Sequence, residues 1–167
     1  MNDIESRLVK PFYLDMMGLN ALRLTHELPA RLTTAGHGIT PSDVSWMLRT
    51  GPWRPVVMGA WFSLALPTES VQGDLLEAMA QSRGSLTAPP LAAAAAVVIG
   101  PAAVPSMLNY LDYIMAPALR DGSEDVVAVA VKQLGGEPPL IPTDEGRRAF
   151  QGLHAFAMRL HEAWRVH

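Results

Sequence analysis

Two tryptophans and two arginines near the middle of the chain have the side chains best suited to bind a ligand. They are Trp46, Arg49, Trp53 and Arg54. A guanidinium stacked on an indole gains ~0.5–2 kcal/mol, and both residue types are common in binding hot spots. The same spacing fits tryptophans that pack inward, as large aromatics usually do, while the arginines extend to water. Tyr110 and Tyr113 form a second aromatic patch with the same two interpretations.

The remaining polar residues show no spacing typical of catalysis or metal binding. The chain has no cysteine, which excludes disulfides, thiolate nucleophiles and cysteine metal sites. His154 and His161 share one face of a predicted helix but stand roughly 10 Å apart, too far for a shared metal ion. We expect both to be packed at the edge of the core. Acidic pairs at 124–125 and 144–145 open helices, where capping explains them. The sequence therefore predicts no catalytic residue, no metal and no cofactor.

Composition limits the partners. The chain has 167 residues, of which 49% are hydrophobic and 17% charged, so we expect one domain with a large core or an apolar face for a partner. A net charge of -3 argues against nucleic acid. The N-terminus is acidic without an apolar run, and no unbroken apolar run approaches the ~20 residues that a bilayer requires. We expect a cytoplasmic protein without a membrane span.

Residues 40–66 predict a central helical hairpin around which the other elements pack. Thr40 and Pro41 are typical of a helix start, and Gly51 of a helix end. Residues 53–66 are apolar on every side, which indicates a helix buried in the core. Gly59 would weaken an isolated helix by about 1 kcal/mol, so we expect a neighbouring helix to approach it closely.

The other elements follow from caps, breakers and apolar periodicity. We predict a single all-α domain with N-terminal helices (1–38), three helical hairpins (39–134), a linker (135–142) and a C-terminal helix (143–166). In the N-terminal part we expect a first helix split at Pro11, an apolar stripe over 20–32 that includes Leu24, and a loop at 33–38. We expect side-chain caps at Thr68 or Ser70 and at Ser123. A connection at 85–90 should precede a helix at 91–99. The valines of 126–131 leave a strand as the alternative, but Gly135 and Gly136 favour a helix.

Amphipathic helices alternate with more apolar ones at roughly the period of a helix–turn–helix solenoid. Residues 125–135 (DVVAVAVKQLG) resemble the second helix of a HEAT repeat. Three further segments, 9–14 (VKPFYL), 53–61 (WRP and GAW) and 110–113 (YLDY), resemble in order an uncharacterised bacterial family of HEAT-like all-helical proteins. The chain departs from that pattern at 88–90 (APP) and at the valine run. The resemblance implies a short HEAT-like stack and no function, and an irregular helical bundle is the alternative.

The sequence favours a non-enzymatic protein-interaction module, for instance an immunity or antitoxin-like binder of a basic partner. Its acidic balance, the missing catalytic motifs and a surface of stacked helices support that hypothesis. The alternative is a small-molecule-binding or enzymatic helical protein with a pocket lined by Met and Trp. A homodimer through the alanine-rich helix is compatible with either. We predict a protein partner and no nucleic acid.

Overall fold

The computed structural model describes residues 3–23 and 26–166. Helices are the only regular secondary structure over those ranges, which confirms the predicted all-α class. The α-helices there are α1 Tyr13–Met16, α2 Leu28–Gly36, α3 Pro41–Arg49, α4 Trp53–Phe62, α5 Thr68–Gln81, α6 Ala88–Val98, α7 Val104–Ile114, α8 Ser123–Gln133 and α9 Asp144–Arg165. Short π- or 3₁₀-helical segments lie at Glu5–Val9, Asn20–Arg23, Ser63–Ala65 and Gly100–Ala103. Within the described ranges, no helix is both long and apolar enough to cross a bilayer.

The hairpin of α3 and α4 forms as its local signals predict. The Thr40 hydroxyl accepts a hydrogen bond from the Asp43 N–H at 3.2 Å, and the Asp43 carboxylate accepts one from the Thr40 N–H at 2.9 Å. Gly51 has a φ of 92°, which lets the chain reverse between the helices. A Cβ on Gly59 would lie 2.9 Å from Leu48 Cγ, so the two helices pack as closely there as expected.

The alanine-rich helix α6 lies at the centre of the molecule. It contacts α4, α5, α8 and α9, and residues 91–95 have no exposed surface. It begins three residues before the predicted start, because Pro89 and Pro90 occupy a first turn in which a missing N–H costs little. The connection predicted at 85–90 is therefore shorter. Its C-terminal end, at Ala96 and Val97, lines a pocket at the surface, and a homodimer through this helix stays a prediction.

Two N-terminal predictions have different outcomes. The chain is interrupted at Pro11, between the Glu5–Val9 turn and α1, as expected. The loop predicted at 33–38 is wrong, since residues 33–36 belong to α2. A Cβ on Gly36 would lie 2.7 Å from the Trp164 indole, and Trp164 Nε1 donates to the Thr33 carbonyl at 3.0 Å. Packing against α9 thus accounts for helix in a segment of loop-like composition. Leu24, predicted to be part of an apolar stripe, lies outside the described residues.

The valine run at 126–131 lies in the helix α8 and is buried throughout. Some predicted caps are wrong, because the side chains have other partners. Ser123 begins α8 without capping it, and its hydroxyl bonds to Tyr110 and Asp121. Thr68 donates to the Val98 carbonyl at 2.9 Å and does not cap α5. Ser70 does not cap it either, since its hydroxyl donates to the Pro67 carbonyl at 2.7 Å.

The helices pack as a bundle. In a solenoid each repeat contacts only its neighbours. Here α9 packs on α2, α6 and α8 and on the segments Asn20–Arg23 and Ser63–Ala65. The long C-terminal helix thus joins both ends of the chain to the centre. The HEAT-like stacking and the family resemblance stay predictions.

Candidate binding groove

The described residues form a groove of about 680 Å³, which we call the acidic groove. Five segments that are distant in sequence line it: 17–20, 85–89, 120–126, 140–143 and the first turns of α9 at 145–149. Its volume falls within the range of ~300–1,000 Å³ found for sites that hold ligands.

Hydrogen bonds join the walls of the acidic groove to one another. The Gly18 N–H donates to the Leu86 carbonyl at 2.9 Å, which ties the N-terminal segment to the start of α6. The Ser85 N–H donates to Asp121 at 2.8 Å, which ties that wall to the start of α8. These bonds preform the groove, so binding would require little ordering of the protein.

A further bond fixes the segment 137–142, which we call the strap. The N–H of Thr143, directly after the strap, donates to Asp125 at 2.8 Å, and the Thr143 hydroxyl contacts the same carboxylate. Thr143 also caps α9 as predicted, because its Oγ1 accepts the Gly146 N–H at 3.0 Å. The strap is thus held against α8 at the point where it enters the groove.

Large apolar side chains project from three walls of the acidic groove. Leu19 is 40% exposed, Leu86 is 38% exposed and Ile141, in the strap, is 87% exposed. Leu119, beside the groove residue Arg120, is also exposed. Apolar side chains that gather on one surface and are rimmed by polar groups are typical of protein-interaction sites.

The acidic groove carries negative charge. Four carboxylates and one guanidinium line it, which gives a formal charge of -3, equal to that of the whole chain. The carboxylates belong to Asp121, Glu124, Asp125 and Glu145.

Three of the carboxylates hold the groove together. Asp121 accepts the N–H groups of Ser85 and Ser123, and Glu124 accepts those of Asp121 and Gly122. Asp125 binds Thr143. Glu145 differs, since it is exposed and bonds to no other part of the described chain. Its carboxylate is the one of the four that is not hydrogen-bonded within the described chain.

Beneath the groove, a buried hydroxyl chain fixes α7 to the start of α8. The Ser123 hydroxyl donates to Asp121 at 2.5 Å and bonds to the Tyr110 hydroxyl. Burial raises the pKa of Tyr110, so its phenol stays neutral at ordinary pH. Tyr110, proposed from the sequence as a binding residue, has no exposed surface, and a ligand would not reach it.

The structure brings part of the predicted tryptophan–arginine cluster together. The Arg54 guanidinium lies 5.0 Å from the centroid of the Trp53 ring and 5.2 Å from that of Tyr13. Arg49 forms an ion pair with Asp74 at 2.6 Å. Trp46 is half-buried against the core, apart from these contacts. The contacts therefore join Trp53 to Arg54, while Arg49 and Trp46 contact other residues.

A smaller pocket of about 390 Å³ includes two of the predicted residues, Arg49 and Trp53. Arg83 also lines this pocket, and its guanidinium lies 4.3 Å from the ring centroid of Tyr113, which is half-buried. The residues around the pocket include one tryptophan and no methionine, in contrast to the Met- and Trp-lined pocket of the alternative hypothesis.

The two histidines of α9 have structural partners, as expected. His154 stacks on Phe150 with 5.5 Å between ring centroids, and burial lowers its pKa. His161 bonds through Nδ1 to the Leu64 carbonyl at 2.8 Å, so Nδ1 carries the proton. No group of three or more His, Asp or Glu side chains within 3–23 and 26–166 is arranged to hold a metal ion.

Sequence patterns did not identify the residues of the acidic groove. Leu140 and Ile141 are two adjacent apolar residues in a proline-rich linker, where exposure is expected, and they are the one local signal of a surface site. The acidic pairs at the starts of α8 and α9 were explained by capping. Only the fold shows that Glu124, Asp125 and Glu145 lie at the same groove, which Asp144 does not line.

Comparison with known protein families, with curated proteins and with solved structures gives no match for this chain. Its fold and site define an all-helical protein with a preformed groove that is both apolar and acidic.

Proposed function

We propose that this protein is a non-enzymatic interaction module, and that its acidic groove binds a segment of a partner protein that is both apolar and basic. The observation that carries this proposal is the presence of Leu19, Leu86 and Ile141, all exposed, in a preformed groove with a formal charge of -3. An immunity or antitoxin-like neutraliser of a basic protein is one form of such a module.

Apolar contacts supply most of the affinity. Full burial of a leucine or isoleucine side chain contributes about 1.5–3 kcal/mol, and Ile141 is 87% exposed in the free protein. A partner that covers Ile141 together with Leu86 would therefore gain the free energy of removing both apolar side chains from water. Because the groove walls are already joined, little of that gain is lost to ordering.

Charge selects the partner. Negative charge in a concave surface attracts a basic segment, speeds its association and disfavours acidic competitors. Three of the carboxylates accept backbone N–H groups and so keep their places without a ligand. The negative electrostatic potential of the groove is thus a fixed property of the folded chain.

Selection of peptides from a random phage-displayed library on the purified full-length protein tests this function. We expect enriched peptides to combine branched apolar residues with basic ones. Ile141→Ser should weaken their binding about tenfold, the loss expected from one covered apolar side chain. Met158→Ser is the matched control, because Met158 is also exposed but lies on α9 outside the groove.

Binding should also weaken as salt rises, because the attraction is partly between exposed charges. Enrichment of acidic peptides would contradict the proposal. Equal effects of Ile141→Ser and Met158→Ser would place the contact elsewhere on the surface and would also contradict it.

A further inference from the structure

We propose that the basic side chain held in the acidic groove is an arginine, that Glu145 binds it, and that lysine is a poor substitute. This inference rests on the function proposed above, and it names the group that determines specificity. It follows from the hydrogen-bonding groups that the groove offers, from the strap beside it and from the apolar character of its walls.

The side chains of the groove offer acceptors more than donors. Several of the donors are engaged: the hydroxyls of Ser123 and Thr143 bond to aspartates, and Asn20 donates to the Leu14 carbonyl at 2.7 Å. Nε of Arg120 pairs with Glu124 at 3.3 Å, so the one cation of the groove is already held by one of its carboxylates. The Glu145 carboxylate has both oxygens free, so the side chain that matches it is one rich in donors.

The strap adds further acceptors. Two of its residues, Leu140 and Ile141, line the groove, and the prolines at 138, 139 and 142 remove N–H donors from the segment around them. None of the backbone groups of the strap is hydrogen-bonded within the described part of the chain. Extended, proline-rich backbone of this kind keeps its carbonyls solvated and able to accept hydrogen bonds.

Arginine fits this environment better than lysine for two reasons. Its planar guanidinium has five N–H donors and binds a carboxylate in a bidentate manner, with donors left for nearby carbonyls. It is also more weakly hydrated than an ammonium group, so it loses less on entering a groove walled by Leu86, Leu140 and Ile141. Its methylene stem can cover those apolar side chains.

The test uses a peptide selected on the wild-type protein, made in two forms with arginine or lysine at its basic position. Affinities of both forms are measured by calorimetry on the full-length chain. We expect the lysine form to bind about tenfold more weakly to the wild type. On Glu145→Gln the two forms should bind within about twofold of each other, because the bidentate acceptor is lost.

Asp144→Asn is the matched control. Asp144 precedes Glu145 at the start of α9, carries the same charge, pairs with Arg147 at 2.6 Å and does not line the groove. The preference for arginine should persist in this variant. Equal affinities of both peptides for the wild type would overturn the inference, and so would a preference that survives Glu145→Gln.

The two proposals fail in different ways. If Ile141→Ser weakens peptide binding and the arginine form binds no more tightly than the lysine form, the assignment of arginine to Glu145 is wrong. The groove then remains the binding site. If Ile141→Ser has no effect, the groove is not the site, and both proposals are wrong.

Discussion

Two adjacent acidic residues at the start of α9 differ in what they contact. Asp144 pairs with Arg147 on its own helix, whereas Glu145 faces the groove with no partner in the described chain. Exposed ion pairs like that of Asp144 contribute ~0–1 kcal/mol to stability, so neither carboxylate has a large part in folding. Position relative to the groove, and not residue type, is what distinguishes the two carboxylates.

We expect His154 to make the stability of the protein depend on pH, and substitution of this one residue separates its effect from that of the other titratable groups. Burial lowers its pKa from the ordinary value of 6.5. At pH values between the folded-state pKa and 6.5, His154 binds a proton more readily in the unfolded chain than in the folded one. The stability that neutral His154 contributes is therefore complete above pH 6.5 and decreases as the pH falls towards the folded-state pKa. We expect the melting temperature of the wild type to fall more than that of His154→Gln between about pH 7.5 and about pH 5.5.

Thermal unfolding followed by circular dichroism at both pH values measures this difference. His26→Gln, at an exposed position, serves as the control and should retain the wild-type pH dependence. An identical pH dependence of the wild type and His154→Gln would show that His154 titrates alike in the folded and unfolded chains.

At the scale of the elements, two helical glycines have different surroundings: one lies where two helices pack closely, and the other lies on a free helix surface. Gly59 lies where α4 crosses α3, and a Cβ there would meet Leu48 and Met47 at 2.9–3.0 Å. Gly73 lies in α5 with nothing within 4 Å of its Cβ position. The same substitution should therefore have opposite effects at the two positions.

We expect Gly59→Ala to lower the free energy of unfolding by about 1–3 kcal/mol, the usual cost of overpacking. Gly73→Ala should raise it by about 0.5–1 kcal/mol, because alanine restricts the unfolded chain and favours helix. Urea denaturation of both variants measures the changes. A stabilising Gly59→Ala would mean that α3 and α4 do not approach closely at this point.

At the scale of the whole molecule, buried contacts join the N-terminal segment, the central hairpin and the C-terminal helix. Trp61 of α4 has no exposed surface, donates from Nε1 to the Met16 carbonyl at 3.0 Å and packs edge-on against Phe156 of α9. With α6 in contact with four other helices, no part of the described core is independent of the rest. We therefore expect a single cooperative unfolding transition.

Trp61→Ala should lower the free energy of unfolding by about 3–5 kcal/mol. Trp46→Ala should cost less, since Trp46 is half-buried. Urea denaturation followed by both tryptophan fluorescence and circular dichroism measures these changes and should give coincident curves for the wild type. Two separate transitions would show that the chain folds in parts.

Local signals in the sequence predicted most of the helices. Thr40 and Thr143 cap helices as expected, and Gly51 ends α3, because capping and chain reversal involve residues a few positions apart. The same rules failed at Ser123 and at 33–36, where the partners are Tyr110 and Trp164. Tertiary contacts there outweigh the local preference, and a local pattern does not contain them.

The amino-acid sequence by itself determined that this chain is helical, which stretches are buried and where several helices begin, because the apolar period and the caps act within one or two helical turns. Only the tertiary structure decided that α6 is central and that an acidic, apolar groove exists. The bonds that build the groove join Gly18 to Leu86, Ser85 to Asp121 and Asp125 to Thr143. Each bond joins residues at least 18 positions apart, and the 3.6-residue period of a helix carries no information on contacts at that separation.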